Sequence, residues 1–496
     1  MDHLQPDHHS LTRLACLFTA LIGLLTGCRV SGRPLDDQPY YEETIARARE
    51  EAGASRAGSG AFRFGVGKAE VQAPVGAPLA GYGDRASAPS LGYLEPIFAR
   101  ALALADGNDV AVVVSTDILI INEPLEQEVM RRLQARLPDL QSHQIFICAT
   151  HTHSGPGGYG RLALEELVMG RFQEYMLPLL ADAISEAVLE SLEDLDFGEL
   201  AYAQAWAPEA ISNRVGETGE VNPLVDVVAC RRPGAETSAF WITYSAHPTV
   251  LPSENLYFSG DYPASLCREL EAEGEGVLAL FTAGTVGGQR PSRAGRERLD
   301  ACTWIGHLVS RRAREALEAA RWQGEVDVRT AEVTIELPPR QVRLIPFGPL
   351  FKLPEPLGLP IVPKERSKVQ LLALDRQAFY GTPCDLGWDV GEAMRLAAGE
   401  RGWLLTAISH TEGYVGYCCR EARFWRRGYE AQMSFFGPYM DRYFQDVLTT
   451  LLDHLPREEA GALPSHHRSF LTPRSTAIPE LQAYPHHGDA RSGGGR

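Results

Sequence analysis

The sequence has no Cys-x-x-Cys spacing, no internal repeat and no apolar run long enough to cross a bilayer comfortably. The missing cysteine spacing argues against both a cysteine-based zinc site and a disulfide scaffold. Positive charge is also in short supply: 47 Lys and Arg stand against 64 Asp and Glu, a formal charge of -17. That balance argues against unaided binding to nucleic acid or to an anionic membrane surface, where phosphates must be neutralised. What is present is ordinary globular material, 44% apolar and 22% charged, in 496 residues. Such a length supports one large or two ordinary domains with a well-buried core.

The first segment reads as a leader. Arg13 precedes an apolar run from Leu14 to Leu25, which ends in Leu25-Thr26-Gly27-Cys28. A positive start, a short apolar stretch and small residues before a cut describe a secretory signal. The ending resembles a bacterial lipobox, with cleavage before Cys28 and lipid on its thiol and new amine. Residues 1–27 are then a lipoprotein signal peptide, and Cys28 is the lipidation site. The expected location is the bacterial cell envelope, exported and lipid-anchored. Arg29, rather than Asp, favours the outer membrane. An uncleaved anchor helix is the alternative. Loss of Cys16 and modification of Cys28 would leave cysteines 148, 230, 267, 302, 384, 418 and 419. Their pairing and the oligomeric state stay open.

Residues 28–61 read as a tether, with a short charged helix around Tyr41 to Glu51 and then Ala-Gly-Ala-Ser-Arg-Ala-Gly-Ser-Gly, a flexible composition. The folded domain is expected over 62–457, and the His/Pro/Gly/Ser/Arg-rich residues 458–496 as a disordered tail. Strand patterns cover Gly65 to Val71, Ala99 to Ala105, Val110 to Leu119, Ile145 to Thr150, Phe240 to Ala246 and Val277 to Phe281. Helical periodicity covers Phe172 to Leu192, disturbed at Pro178, and Leu299 to Ala320; another helix opens at Asp261, a candidate N-cap, and Pro263. The Pro-rich stretch Leu337 to Pro363 suggests a flap or an insertion. Strands alternating with helices predict an α/β fold of mixed, largely parallel β-sheets flanked by helices, with the active site on loops at strand ends.

The most informative stretch is Ile145-Phe146-Ile147-Cys148-Ala149-Thr150-His151-Thr152-His153-Ser154-Gly155-Pro156-Gly157-Gly158. Residues two apart on a strand point the same way, so His151 and His153 should emerge together at its end. Two neutral imidazoles on one rigid edge supply half of a zinc sphere. The glycines behind them could present amides to an oxyanion. His-x-His alone also has an incidental reading.

Further blocks are Gly65-Val66-Gly67-Lys68-Ala69-Glu70, Gly81-Tyr82-Gly83-Asp84-Arg85, Ala99-Arg100-Ala101, Ser115-Thr116-Asp117, Asn213-Arg214, Ala246-His247-Pro248-Thr249, Ser259-Gly260-Asp261, Pro383-Cys384-Asp385, Gly413-Tyr414-Val415-Gly416-Tyr417 and Tyr429-Glu430. In this order they resemble the neutral/alkaline (non-lysosomal) ceramidase family, specifically its N-terminal catalytic domain, over residues 62 to 455. Too little chain follows for the immunoglobulin-like C-terminal domain of full-length ceramidases, which is expected to be absent.

The resemblance implies a catalytic zinc (Zn2+) held by His151, His247, Asp385 and Tyr417. Asp385 stands where the family has Glu, one methylene shorter; it could equally be a loop or N-cap residue, with Glu412 as a substitute carboxylate. His153 would be the acid/base, or else a supporting or zinc-bound histidine. Arg214 would anchor a polar or carboxylate end of the substrate, or form a surface salt bridge. Tyr429 would hydrogen-bond the substrate carbonyl or developing oxyanion, or belong to the core. Asp117 and Asp261 would orient backbone or ligands rather than react.

One departure changes the expected chemistry. Arg290, in Gly287-Gly288-Gln289-Arg290-Pro291, occupies the place of the family's serine nucleophile, and neither Ser292 nor Ser154 matches it. Ceramide is therefore a doubtful substrate, and metal-activated water with His153 as base becomes the economical route. The expectation is a zinc-dependent hydrolase cleaving the amide of a small lipid-like or N-acyl substrate. The alternatives are a non-catalytic metal- or ligand-binding lipoprotein and a metal-dependent esterase or lactonase.

Overall fold

The computed structural model describes residues 34–456, apart from 56–57, 59, 216–218 and most of 344–363, together with Val30 and Gly32. The leader, Cys28 and the tail from 457 onward lie outside the described residues, as does much of the Pro-rich stretch. Among the described residues no helix is long and apolar enough to cross a membrane.

Three mixed β-sheets build the body. The first orders its strands Ile145–Ala149, Val110–Thr116, Phe98–Ala105, Arg63–Glu70 and Asp196–Phe197. The second orders Leu278–Ala283, Thr237–Tyr244, Leu224–Arg231 and Glu199–Trp206, and the third Val328–Glu336, Arg366–Leu374, Gln377–Gly381 and Leu404–Ile408. One face of each meets the others in a shared core that includes Phe64, Phe146, Trp241, Leu280, Leu372 and Phe379. Trp241 and Phe379 stack there with ring centroids 4.1 Å apart.

Helices cover the opposite faces. Glu123–Arg136 and Met176–Glu193 pack on the first sheet, Asp261–Glu271 and Arg298–Leu317 on the second, and Trp388–Glu400 and Met440–His454 on the third. Gly67 shows how close this packing is, since a Cβ there would lie 2.1 Å from the Ala187 carbonyl oxygen. Pro178 falls in the first turn of its helix, where the missing N–H has no partner to lose, so the expected disturbance does not arise.

The α/β class and the flanking helices match expectation, but antiparallel pairs outnumber parallel ones. Short turns such as Asp106-Gly107-Asn108 join neighbouring strands directly, and only antiparallel strands allow that. Each large sheet nevertheless keeps one parallel pair: 110–116 with 145–149, 237–244 with 278–283, and 377–381 with 404–408. A parallel pair brings two strand C-termini side by side, and ligand loops in α/β proteins gather at such ends.

The tether is shorter than expected. Pro39–Ala54 is helix, and its Ile45, Ala48 and Ala52 are buried with Val447, Leu448 and Leu451 of the last helix. Tyr41 donates to Asp446 at 2.8 Å, and Tyr443 to Thr44 at 2.7 Å. Gly60–Ala61 then pairs with Glu325–Val326. The charged outer face of this helix hid its apolar stripe in a composition-based reading.

Candidate metal centre and active site

The three parallel pairs supply the site. His151 follows the strand 145–149, His247 follows 237–244, Asp385 follows 377–381, and His410 follows 404–408. The partner strands contribute backbone. Nδ1 of His151 contacts the Leu119 carbonyl oxygen at 2.7 Å, and Nδ1 of His247 contacts that of Val286 at 3.4 Å. A carbonyl oxygen only accepts, so both rings carry their proton on Nδ1 and turn a lone pair inward from Nε2.

Those inward nitrogens meet. His151 Nε2 lies 2.9 Å from His247 Nε2, and His153 Nε2 lies 3.3 and 3.1 Å from the two. Asp385 Oδ1 is 3.5 Å from His151 Nε2 and has no hydrogen-bond partner among the described residues. Facing lone pairs at such distances repel unless a proton or cation lies between them. Protons are disfavoured: burial pushes His151 down to about 3, and His153 and His247 well below the ordinary imidazole range. Nitrogens on a tetrahedral zinc at ~2.0–2.1 Å sit about 3.3 Å apart. The donor set fits such an ion, with His151, His247, His153 and Asp385 all in reach; the first three, and His151 with Asp385 and His410, form compact groups of possible ligands.

His151 and His153 converge for a different reason from the one the sequence suggested. The strand ends at Ala149, and His151 adopts φ 62°, in the left-handed region, so the loop rather than the pleat aims the rings. Gly81 lies against His153 at φ 110°, where a Cβ would come within 2.6 Å of His153 Cα. Arg85 then staples the surroundings. Its guanidinium donates to the Ala80 carbonyl at 2.8 Å, to that of His153 at 2.6 Å and to that of Ser253 at 3.0 Å. The amides of Gly157 and Gly158 are consumed by the carbonyls of Pro78 and Met169, so they do not serve an oxyanion.

Asp385 and Tyr417 are directly opposed in a short parallel ladder, Asp385–Leu386 on Tyr417–Cys418. Asp385 is thus held as a strand residue, and Gly387 occupies the N-cap position of the next helix. Tyr414 donates its hydroxyl to Asp385 Oδ2 at 2.7 Å. Burial pushes the Asp385 carboxyl up to about 7, against the pull of Tyr414 and Arg214. Glu412 is not the substitute carboxylate: it is buried 3.7 Å from Lys368 Nζ, which also binds Glu126 and Glu332.

Arg214 is half-buried and its guanidinium is engaged. It donates from Nε to Glu430 at 2.8 Å and from a terminal nitrogen to the Tyr417 hydroxyl at 3.0 Å. Burial alone would lower its pKa, but Tyr417 and Glu430 hold it above the usual range. Tyr429 is 59% exposed, its ring edge-on to Tyr417 at 5.6 Å, so it faces an opening rather than the core. Arg290 is exposed, bonded to Ser212 at 3.3 Å. Ser154 is buried and accepts from Asn255 at 3.0 Å.

Asp117 and Asp261 are positioning groups. Asp117 accepts from Arg100 and from the Phe98 amide, both at 3.0 Å. Asp261 accepts from the amides of Val250 and Leu251, at 3.3 and 2.9 Å, and so pins the loop behind His247. It is not the expected side-chain N-cap, since Gly260 precedes the helix in that role. His410, Tyr414 and Arg85 carry parts of the site that the sequence reading left unassigned. For His410 the signal was present: like His151, it stands just past a short apolar strand.

Residues 62–295 match the family model "Neutral/alkaline non-lysosomal ceramidase, N-terminal". Over those residues the chain is similar to the neutral/alkaline non-lysosomal ceramidase family. The neutral ceramidase of Pseudomonas aeruginosa is 27% identical over 252 residues, 47% of this chain and 37% of that protein. That of Mycobacterium tuberculosis is 27% identical over 170 residues, 32% of this chain and 26% of that protein. The chain's matched part thus spans well under two thirds of these relatives' own length. The crystal structure of the Pseudomonas neutral ceramidase aligns with a TM-score of 0.71 and 20% identity, over 82% of this chain and 77% of that one, a likeness of fold. The family segment contains His151, His153, Arg214 and His247. Asp385, Tyr417 and Tyr429 lie beyond it and reach the site through the fold.

Proposed function

We propose that this ceramidase-like chain is a zinc-dependent hydrolase that cleaves the amide bond of a lipid-like N-acyl substrate. The observation that carries the proposal is the meeting of three Nε2 atoms, from the buried His151 and His247 and the half-buried His153, beside Asp385 Oδ1, which has no hydrogen-bond partner among the described residues. His151, His247 and Asp385 would hold the ion, with Tyr417 beside Asp385. Bound zinc would supply a Lewis acid that polarises the scissile carbonyl and acidifies water.

The protein's own groups perform the rest. Nε2 of His153 takes a proton as the water oxygen attacks the carbonyl carbon. The same nitrogen returns that proton to the leaving nitrogen as the C–N bond breaks, giving a carboxylic acid and an amine. The Tyr429 hydroxyl donates to the carbonyl oxygen as charge develops there. Arg214 holds Tyr417 and Glu430 in place. Arg290 stands where a serine nucleophile would be needed, which favours direct attack by water over an acyl-enzyme.

A second arrangement is favoured by the same distances, with His153 as a third nitrogen ligand. Purified His153→Ala decides between the two. Retained stoichiometric zinc with loss of amide hydrolysis supports the acid/base role, whereas loss of zinc makes His153 a ligand. A wild-type protein that binds no divalent metal overturns the hydrolase proposal and leaves the binding lipoprotein.

We further propose export and anchoring through lipid on Cys28, supported by the Leu25-Thr26-Gly27-Cys28 pattern. Palmitate labelling that is unchanged in Cys28→Ala would rule it out.

A further inference from the structure

Asp385 divides its two oxygens between different neighbours. Oδ2 accepts from the Tyr414 hydroxyl at 2.7 Å. Oδ1 has no hydrogen-bond partner among the described residues and lies 3.5 Å from Nε2 of His151. The side chain is 1% exposed, and a buried carboxylate oxygen left without a partner is costly unless a proton or a cation meets it. The last torsion of an aspartate is broad and roughly two-fold, so packing alone does not decide which oxygen faces the histidines. The Tyr414 hydroxyl decides it.

That hydroxyl is anchored from another sheet. Asp385 is fixed opposite Tyr417, and its amide donates to the Gly416 carbonyl at 3.0 Å. The amides of Gly413 and Tyr414 instead donate to the Ile121 carbonyl, at 3.1 and 3.3 Å. Ile121 belongs to the segment beyond the strand 110–116 whose Ile118 and Leu119 carbonyls hold the His151 amide and Nδ1, at 3.1 and 2.7 Å. One stretch of backbone therefore orients His151 directly and Asp385 through Tyr414. The Tyr414 ring lies over His410 with centroids 5.9 Å apart and planes 24° from parallel, which fixes where its hydroxyl can reach. Resting on the zinc proposal above, we infer that Tyr414 is a positioning residue that occupies Oδ2 and presents Oδ1 as the single Asp385 atom for the ion. Without the hydroxyl the carboxylate is free to turn or to offer both oxygens.

The test uses full-length protein loaded with Co2+ in place of zinc, because the visible absorption of cobalt reports coordination number without any turnover. Tyr414→Phe keeps the ring and removes only the hydroxyl. Its cobalt band should weaken as the second carboxylate oxygen enters the sphere. Zinc affinity, read against a chelating dye, should fall roughly 10–100-fold, the range for groups that support a ligand. Tyr159→Phe is the control: its hydroxyl donates to the Ile120 carbonyl of the same segment at 3.0 Å, and the variant should keep the wild-type band and affinity. An unchanged band in Tyr414→Phe, or an equal change in Tyr159→Phe, overturns the positioning role and leaves the zinc proposal intact. If Tyr414→Phe fails to fold or binds no cobalt, a crystal structure of the zinc-loaded wild type decides. Oδ1 on the ion with Oδ2 still on the Tyr414 hydroxyl supports the inference, and both oxygens on the ion overturn it. A wild-type protein that takes up neither metal sinks the zinc proposal itself, and this inference with it.

Discussion

His410 lies face to face with His151, ring centroids 3.6 Å apart and planes within 5° of parallel. Its Nε2 is 3.7 Å from Asp385 Oδ1, and neither ring nitrogen has a hydrogen-bond partner among the described residues. A parallel ring cannot aim its lone pair at the point His151 addresses, so His410 would pack against the proposed ligands rather than complete their sphere. His410→Ala should therefore weaken zinc affinity by roughly 10–100-fold, as supporting residues around metal sites do. His151→Ala should abolish stoichiometric binding. Competition with a chelating dye reads both. Equal losses in the two variants would make His410 a ligand.

Gly81→Ala should damage the site without touching a ligand. The added methyl would lie 2.6 Å from His153 Cα, Cβ and Cγ, at a φ of 110° that side chains avoid. The His153 loop must shift, and a displacement of about 1 Å in a catalytic group costs on the order of 100-fold in rate. Amide hydrolysis by the variant, with thermal melting as a control for folding, measures it. A variant as active as wild type would mean that His153 has no catalytic position to lose.

Acid should destabilise the metal-free protein. Burial pushes His151 down to about 3 from an ordinary 6.5, and His153, His247 and His410 shift the same way. These groups bind protons in the unfolded chain but not in the fold. Their contribution is complete above the unfolded pKa and is lost as pH falls from there toward the folded values. At one unit below the unfolded pKa each such histidine costs about 1 kcal/mol. Asp385, Asp261 and Asp441, pushed up to about 7, about 6 and about 6, and Glu412, pushed well above the ordinary carboxylate range, act in the opposite sense, so the net change is smaller than the four imidazoles alone would give. Urea unfolding after chelation, at pH 7.5 and 5.5, should show lower stability at the acid value. A rise instead would show that the carboxyls dominate.

Ile45→Ala should lower stability by roughly 2–4 kcal/mol, the usual loss for truncating a buried aliphatic chain. Ile45 is 8% exposed and packs into the core beneath the third sheet. A helix that merely tethered the domain would tolerate the change, so an unaltered unfolding midpoint would return Pro39–Ala54 to a linker role.

Local pattern determined a good deal by itself. Alternation and apolar runs marked the strands at Gly65 to Val71, Ala99 to Ala105 and Ile145 to Thr150, because side chains on a pleat sort by face within a few residues. His151, His153 and His247 were legible through the blocks around them. Only tertiary structure decided where those residues meet. His410 and Tyr414 join the site, and Glu412 leaves it for Lys368, because three separate sheets each end a parallel pair at one point. Nothing along the chain encodes which strand ends become neighbours. The same holds for the helix at Pro39–Ala54, whose buried face exists only once the last helix arrives to cover it.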